Sequence, residues 1–564
     1  MIASLPPALI FFAGALLVAL APGRLRPALT MLVPLFGGWN LWYMTEGGGG
    51  FEVALFDYQL ELLRVDKLAL LFGILFHLAT FLACLYAFHL CDRTQQVSSL
   101  LYAGGALGAV FAGDLITLFV SWEIMAVASV FLIWARRTPR ASAAGMRYLM
   151  VQICSGLLLL AGAILHISET GSVAFGPMGL GSLAGILIFV AFGIKCAFPL
   201  VHSWLTDAYP EATPSGMVFL SAFTTKVAVY GLARSYPGTE ALIYIGTAMA
   251  MFPIFFAVIE NDLRRVLAFS LINQVGFMVV GIGIGTELAL NGAVSHAFND
   301  VLFKGLLLMS MGAVLHQTGK INGSELGGLY KTMPITTGLC IVGAASISAF
   351  PLFSGFVSKS MVMVAAAEEG HWVVWLLLLF ASAGVFHHAG IKIPFFAFFA
   401  HDSGIRTREP PLNMLLAMGA AAALCIVIGV FPSLLYGFLP WDVHYVPYTA
   451  DHVLSQLQLL FFSALAFAWL NLAGLYPPEL RSLNLDADWL YRRLGMGTVR
   501  RAERAWKKAE QSVQQLIAHA ASALHQAAAQ HYGPQSVLAR TWSTGFSALW
   551  VVILLGICLI LYYL

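Results

Sequence analysis

The sequence predicts an all-α polytopic membrane protein with about 16 transmembrane helices, two inverted five-helix repeats with broken helices, and a C-terminal lateral amphipathic helix. Three observations predict this. First, the chain is 59% hydrophobic and only 10% charged, whereas a soluble domain carries about 25% charged residues. So few charges cannot cover a water-facing surface, and the alternative solvent is lipid. Second, apolar windows of about 20 residues, the length that crosses a bilayer, recur along most of the chain. Third, two short apolar motifs return in the same order, at offsets of 150 and 152 residues.

The windows run over 5–22, 27–44, 65–90, 97–113, 114–134, 143–167, 179–201, 214–234, 239–259, 265–285, 290–316, 335–366, 371–400, 412–437, 452–476 and 542–563. The first follows no basic stretch and precedes no cleavage-like site, so it reads as a span and not as a signal peptide. Only Gly113-Asp114 separates the fourth window from the fifth. The organisation that follows is 1–95 for the N-terminal helices, 96–236 and 237–401 for the two repeats, and 402–480 for the C-terminal core helices. Residues 481–541 form the lateral helix and 542–564 a terminal anchor. The net charge of +2 gives no global basic field, and nucleic acid is excluded as a partner. The seven cysteines lie in or beside apolar runs at no ligand spacing, which reads as core thiols and no metal site.

Lys and Arg accumulate in cytoplasmic loops. Arg24 and Arg26, then Arg136, Arg137 and Arg140, then Arg264 and Arg265, then Lys320 and Lys331, then Arg406 and Arg408 all fall on one side of a sixteen-span chain. The opposite loops are acidic, with Glu46, Glu52, Asp57, Glu61, Glu368 and Glu369. Both termini are therefore expected outside, in the periplasm. From Arg481 to Lys508 the chain holds eight basic residues against three acidic. There Trp489, Leu494, Val499, Trp506 and Val513 recur near helical spacing, the pattern of a basic amphipathic helix lying on a membrane or a partner.

The echoes are Gly162-Ala163-Ile164-Leu165-His166 with Gly312-Ala313-Val314-Leu315-His316, and Ala197-Phe198-Pro199-Leu200 with Ala349-Phe350-Pro351-Leu352. Their offset is five spans, an odd number, so the two halves are inverted. Pro199 and Pro351 each fall inside a span close to a lysine, Lys195 and Lys359. Broken helices of this kind are tolerated where they line a polar cavity.

Ionisable groups inside spans are costly and mark ion paths. Glu123, Lys195, Lys226, Lys304, Lys359 and Lys392 fall inside windows, as do Asp300, His296, His387 and His388. A lysine near a span end often snorkels to the interface, the plain reading for Lys226 and Lys392. Glu123, Lys195 and Lys304 lie too deep for that. Asp300 and Lys304 are four residues apart and share a helix face. This chemistry suits protons: a buried amine exchanges its proton with a carboxylate, an imidazole or water. A sodium cage wants several clustered oxygens instead.

Eight stretches between about residues 100 and 400 give the chain its family likeness. They are Ser121-Trp122-Glu123; Gly193-Ile194-Lys195 with Pro199 to Ala208; Pro214 with Thr224-Thr225-Lys226-Val227; Asp262 to Ser270; Gln274-Val275-Gly276-Phe277; His296 to Gly305; Gly327-Gly328-Leu329 with Pro334; and Pro351 to Lys359. In this order they resemble the antiporter-like family shared by Mrp cation/proton antiporters, respiratory complex I and membrane-bound hydrogenases, and Lys226 takes the pattern of the D-type branch of Mrp subunits. The resemblance implies that Glu123 and Lys195 form a coupled pair, that Lys226 and Lys304 form a central relay, and that Lys359 ends the relay. The family's usual histidine four residues before the span-eleven lysine is Asp300 here.

The resemblance implies a proton-translocating subunit of a multi-subunit Na⁺ or K⁺/proton antiporter in the bacterial inner membrane. It would conduct protons along Glu, Lys, His and water, with the metal cation handled through a partner protein of the complex. Two alternatives are the same kind of subunit in a redox-driven complex and a membrane subunit serving inorganic-carbon uptake. No redox-cofactor motif is present, and no cofactor is expected. The partners expected are other membrane subunits and the lipid bilayer.

Overall fold

The computed structural model describes residues 4–44, 50–480, 484–534, 536 and 539–564. Among these, eleven helices are long and apolar enough to cross a membrane, from Lys67–Tyr86 to Thr544–Tyr563. The other five windows are helical too. Pro7–Leu20, Arg26–Trp42 and Arg93–Phe111 are continuous, while 179–201 and 335–366 are interrupted. The chain divides into two compact units, 1–486 and 487–564.

The chain is an all-α membrane bundle, and its helices are joined by a small two-stranded antiparallel hairpin, Phe51–Leu55 with Tyr58–Leu63. It occupies the acidic loop before the third window. Phe56 takes a positive φ of 52° in the turn, and Leu60 and Leu63 are buried. The hairpin is tied to the short junction between the fourth and fifth windows. Gly113 donates to the Glu61 carbonyl at 2.9 Å, and the Glu61 N–H donates to Asp114 Oδ2 at 2.9 Å. Glu46 and Arg481, counted above among the loop charges, lie outside the described residues. Of the cysteines expected in the core, Cys84, Cys196, Cys340 and Cys425 are buried, but Cys91, Cys154 and Cys558 are exposed.

Asp114 starts the Leu115–Trp134 helix by accepting from the Ile116 and Thr117 N–H groups, and Asp262 starts Leu263–Ile284 in the same way through Arg264 and Arg265. A side-chain oxygen at this position satisfies donors that the first turn leaves free. Each helix is followed by one of 32 residues, Pro139–Thr170 and Glu287–Thr318, capped by Thr138 and Thr286. Both long helices stop at a glycine with positive φ, Gly171 at 71° and Gly319 at 69°, a left-handed cap that favours glycine.

The two interrupted helices break alike. The first runs Leu183–Lys195, unwinds, and resumes at Ser203–Ala208. The second runs Pro334–Ile347, unwinds, and resumes at Ser354–Glu368. Pro199 and Pro351 lie in the unwound stretches. Proline has no N–H, so neither can bond the carbonyl four residues earlier, that of Lys195 or of Ile347. The residues on either side of each proline support the break with positive φ: Ala197 at 62° and Leu200 at 72°, Ala349 at 56° and Leu352 at 75°.

The Trp372–Val385 helix continues in wide π turns over Phe386–Lys392 and Phe395–Phe399. In the second unit, Met496–Tyr532 is a single helix of 37 residues with no buried residue, the most amphipathic helix among those described. The apolar helix Thr544–Tyr563 follows it.

Leu200 is 71% exposed, so substitutions there act on the backbone with little repacking. Leu200→Gly should leave thermal stability in detergent unchanged or raised. Leu200→Val, β-branched at a positive φ, should lower it by about 1 kcal/mol. Thermal unfolding of the two purified variants against the parent checks this.

Candidate functional site

Five lysines are removed from solvent: Lys195, Lys226, Lys304 and Lys392 are 0% exposed and Lys359 is 1%. The snorkelling reading of Lys226 and Lys392 therefore fails. An ammonium so placed needs oxygen partners, and helix breaks or ends provide carbonyls for Lys226, Lys359 and Lys392.

Lys359 donates to the Ile347 carbonyl at 3.0 Å, the carbonyl that Pro351 leaves without a donor. Its ammonium also lies 5.2 Å from the Phe277 ring centre. Lys392 donates to the Val258 and Glu260 carbonyls at 2.6 and 2.7 Å. These lie at the C-terminal end of Glu240–Ile259, where carbonyls lack helical donors and the dipole favours a cation. Lys226 lies just past an irregularity at Phe223, where the Thr224 N–H donates to the Tyr102 hydroxyl at 3.0 Å. From there Lys226 donates to the Ser221 carbonyl at 3.2 Å.

The centre of the site is an ion pair. Lys226 Nζ lies 2.5 Å from Asp300 Oδ2, and both side chains are fully buried. Asp300 and Lys304 share a face of Glu287–Thr318, but Lys304 donates to Ser270 Oγ at 2.7 Å. An ion pair across helices was not legible because spacing reveals neighbours on one helix only. His296 occupies the same face, one turn before Asp300. Its Nδ1 is 3.0 Å from Ser358 Oγ and its Nε2 is 3.0 Å from Gln274 Oε1. Ser358 adjoins Lys359, so the histidine links the long helix to the second broken helix.

Glu123 and Lys195 are neighbours without a direct hydrogen bond. Lys195 donates to the carbonyl of Trp122 at 2.8 Å and lies 4.2 Å from its ring centre. Trp122 in turn donates to Ser155 Oγ at 3.1 Å. Glu123 lies against Gly156, where any side chain would collide with its carboxylate. Its Oε1 is buried with no hydrogen-bond partner among the described residues. The residue also lines a cavity of about 890 Å³ with Phe12, Arg93, Thr94 and Ser98.

His388 is fully buried. It lies within electrostatic range of Lys304 and Lys392. His387 stacks on Tyr476 with ring centres 5.4 Å apart. Lys392 also pairs with Glu479 at 2.8 Å. Glu479, Gln274, Ser270 and Ser358 escaped the sequence reading. Glu479 carried one signal: it is the acid that follows the last core span.

The arrangement is a buried series of Lys, His, Asp and Glu side chains inside a helical membrane bundle, suited to passing protons. The family model described as NADH:quinone oxidoreductase/Mrp antiporter, TM, matches residues 112–385. Among curated proteins, the chain is 29% identical over 425 residues to the A-type subunit of the Na(+)/H(+) antiporter of Alkalihalophilus pseudofirmus, covering 66% of this chain and 52% of that protein. It is 30% identical over 495 residues to the A/B-type subunit of the probable K(+)/H(+) antiporter of Rhizobium meliloti, covering 80% of this chain and 48% of that one. The chain thus spans about half the length of these relatives. Hydrogenase-4 component B of Escherichia coli is 25% identical, with 80% of this chain and 74% of that protein covered. Two solved structures have the same fold. A chain of the Mrp complex from a Dietzia species has a TM-score of 0.70 at 21% identity, covering 81% of this chain and 99% of its own. A chain of an archaeal membrane-bound sulfane sulfur reductase has a TM-score of 0.71 at 22% identity, covering 98% and 99%. The protein is a polytopic membrane protein of the antiporter-like family shared by Mrp antiporters, complex I and hydrogenases.

Asp300→Asn leaves Lys226 buried without its counter-charge and should cost about 3–5 kcal/mol. The double variant Lys226→Met/Asp300→Leu, which buries no charge at either position, should recover most of that loss. Thermal unfolding of the three purified proteins in one detergent measures both effects.

Proposed function

We propose that the chain is a proton-translocating membrane subunit of a multi-subunit Na⁺ or K⁺/proton antiporter in the bacterial inner membrane. The observation that carries the reading is the set of five buried lysines, each held by one to three oxygens, with Asp300 paired to Lys226, His296 within electrostatic range of Lys226, Lys304 and Lys359, and His388 within range of Lys304 and Lys392. Protons pass along Glu123, Lys195, Lys226, Asp300, Lys304 and His296, then Lys359, His388 and His387, and reach Lys392. A carbonyl holds an ammonium in place but does not take its proton. Carboxylates, imidazoles and water do, so the exchange points are Glu123, Asp300 and the histidines. Of the two in-span carboxylates proposed from the sequence, Asp300 is committed to Lys226. A Na⁺ or K⁺ ion is then bound through a partner protein of the complex.

Several finer features belong to the same reading. Matched aspartate caps, paired 32-residue helices and paired broken helices support two inverted five-helix repeats at 96–236 and 237–401 within sixteen spans. The two lysines then flank equivalent breaks from opposite sides, Lys195 before its proline and Lys359 after. The basic loops support termini on the outside. Lys226 supports the D-type branch of Mrp subunits. Met496–Tyr532, within the segment 481–541, is the lateral helix that clamps neighbouring subunits, with 542–564 as its anchor. A second reading, membership of a redox-driven complex, is favoured by the larger share of hydrogenase-4 component B that the chain covers.

Glu123→Ala should abolish cation-dependent proton movement in everted vesicles while the complex still assembles; normal transport by a fully assembled variant refutes the role. Removing residues 487–564 should leave the remaining bundle inserted but stop it co-purifying with its partners, and an intact complex without the segment refutes the clamp.

A further inference from the structure

Beyond Leu472 the chain leaves its last core helix and returns over the end of the bundle that carries Arg264 and Arg265. Gly474 turns it with a φ of 68°. The Leu475 and Tyr476 N–H groups both donate to the Leu470 carbonyl, at 2.9 and 3.0 Å. Pro477 and Pro478 stiffen the next step, and Glu479 follows. Farther on, Asn484 donates to Glu260 Oε2 at 3.2 Å. Asp486 Oδ1 lies 2.9 Å from His202 Nε2, and Asp486 Oδ2 accepts from Thr206 at 3.5 Å. Thr206 lies in Ser203–Ala208, the resumed half of the first broken helix, and His202 immediately precedes it. The returning segment is thus fixed before and after Glu479.

Glu479 has a side chain only 6% exposed, and its Oε1 lies 2.8 Å from Lys392 Nζ. A plain counter-ion uses both oxygens, since a buried polar atom without a partner is costly. Here Oε2 has no hydrogen-bond partner among the described residues. It faces Gly323, where an added methyl group would lie 3.5 Å away. The Tyr476 hydroxyl beside it has no partner either among the described residues. The ring of His387 lies on Tyr476. Buried polar atoms left open in one place are suited to water. The charged groups facing Glu479 are Lys392 and Glu260, with Arg265 behind Glu260 at 3.9 Å. Burial pushes the Glu479 carboxyl up from its ordinary value, and the Lys392 ammonium opposes that shift.

We propose that Glu479 is the proton-transfer group at the basic-loop mouth of the path, exchanging protons between Lys392 and water, and that Asp486 is a positioning residue that holds it there through His202. The proposal rests on the proton-translocation reading and adds an element from outside the repeat units. In the step, an N–H bond of the Lys392 ammonium breaks and an O–H bond forms on Glu479, leaving a neutral amine and a neutral carboxylic acid. The acid then gives its proton to water and returns to carboxylate. The reverse sequence loads the path. No electron moves, and no other reactant is needed.

The test uses the assembled complex in proteoliposomes with an internal pH dye and an imposed potential. Lys304→Ala reports on the parent reading and should abolish flux. Glu479→Gln should lower flux by about a hundredfold, and added formate, a small acid that reaches a mouth open to water, should restore a large part of it. Formate should not restore Lys304→Ala, which lies deep in the bundle. Asp486→Asn should lower flux less than Glu479→Gln and also respond to formate. If Lys304→Ala conducts normally, the parent reading fails. If Lys304→Ala is inactive while Glu479→Gln conducts normally, only the present inference fails. Loss in Glu479→Gln without formate rescue also overturns it, because a structural counter-ion gives that result. Should the glutamine variant not assemble, Glu479→Asp decides: its shorter carboxylate should slow flux in a way formate reverses, and wild-type flux overturns the proposal.

Discussion

An ammonium inside a membrane bundle must find oxygen, and much of this chain is arranged to provide it. A regular helix has none to spare, because each carbonyl in its interior already accepts from the residue four positions on. Oxygen becomes available where a helix stops, breaks or kinks. Lys359 uses the carbonyl that Pro351 orphans. Lys392 uses the end of Glu240–Ile259. Lys226 uses Ser221 beside the irregularity at Phe223. Helix breaks and ends thus solvate three of the five lysines, while Lys304 uses the Ser270 hydroxyl and Lys195 shares the Trp122 carbonyl.

Two kinds of partner then divide the work along the bundle. Carbonyls and the Trp122 and Phe277 rings hold an ammonium without competing for its proton. Asp300 and the imidazoles can compete. His296, Asp300 and Lys304 recur every four residues on one helix, so a single face of Glu287–Thr318 passes beside Gln274, Lys226 and Ser270 in turn. That helix is buried over almost its whole length, which excludes bulk water from the line while keeping its groups in register.

Much of this was legible in the sequence. Composition and window length placed the helices, because lipid imposes a minimum apolar length that few other constraints mimic. Proline inside an apolar window marked the breaks, and charge inside a window marked the lysines. The hairpin at 51–63 was not legible. Its strands are short and half-exposed, and what fixes them is pairing with Gly113 and Asp114, about fifty residues away. The partner of Asp300 was hidden for a related reason: Lys304 is near in sequence, but Lys226 is near in space. Glu479 was hidden because a lone acid in a polar connector resembles any solvated residue until the chain is seen to fold back.

The wide turns over Phe386–Lys392 hold one more residue per turn than a regular helix allows. Such turns are uncommon and typically amount to one inserted residue. The insertion sets the azimuth of everything that follows. With one residue fewer, the stretch would relax to a regular helix and turn Lys392 by about 100° relative to His387 and His388. The ammonium would then swing off the line shared by the Val258 carbonyl and Glu479. In this family member, the orientation of a charged group toward the chain's returning segment hangs on the count of residues between Val385 and Pro394, and not on their chemistry alone.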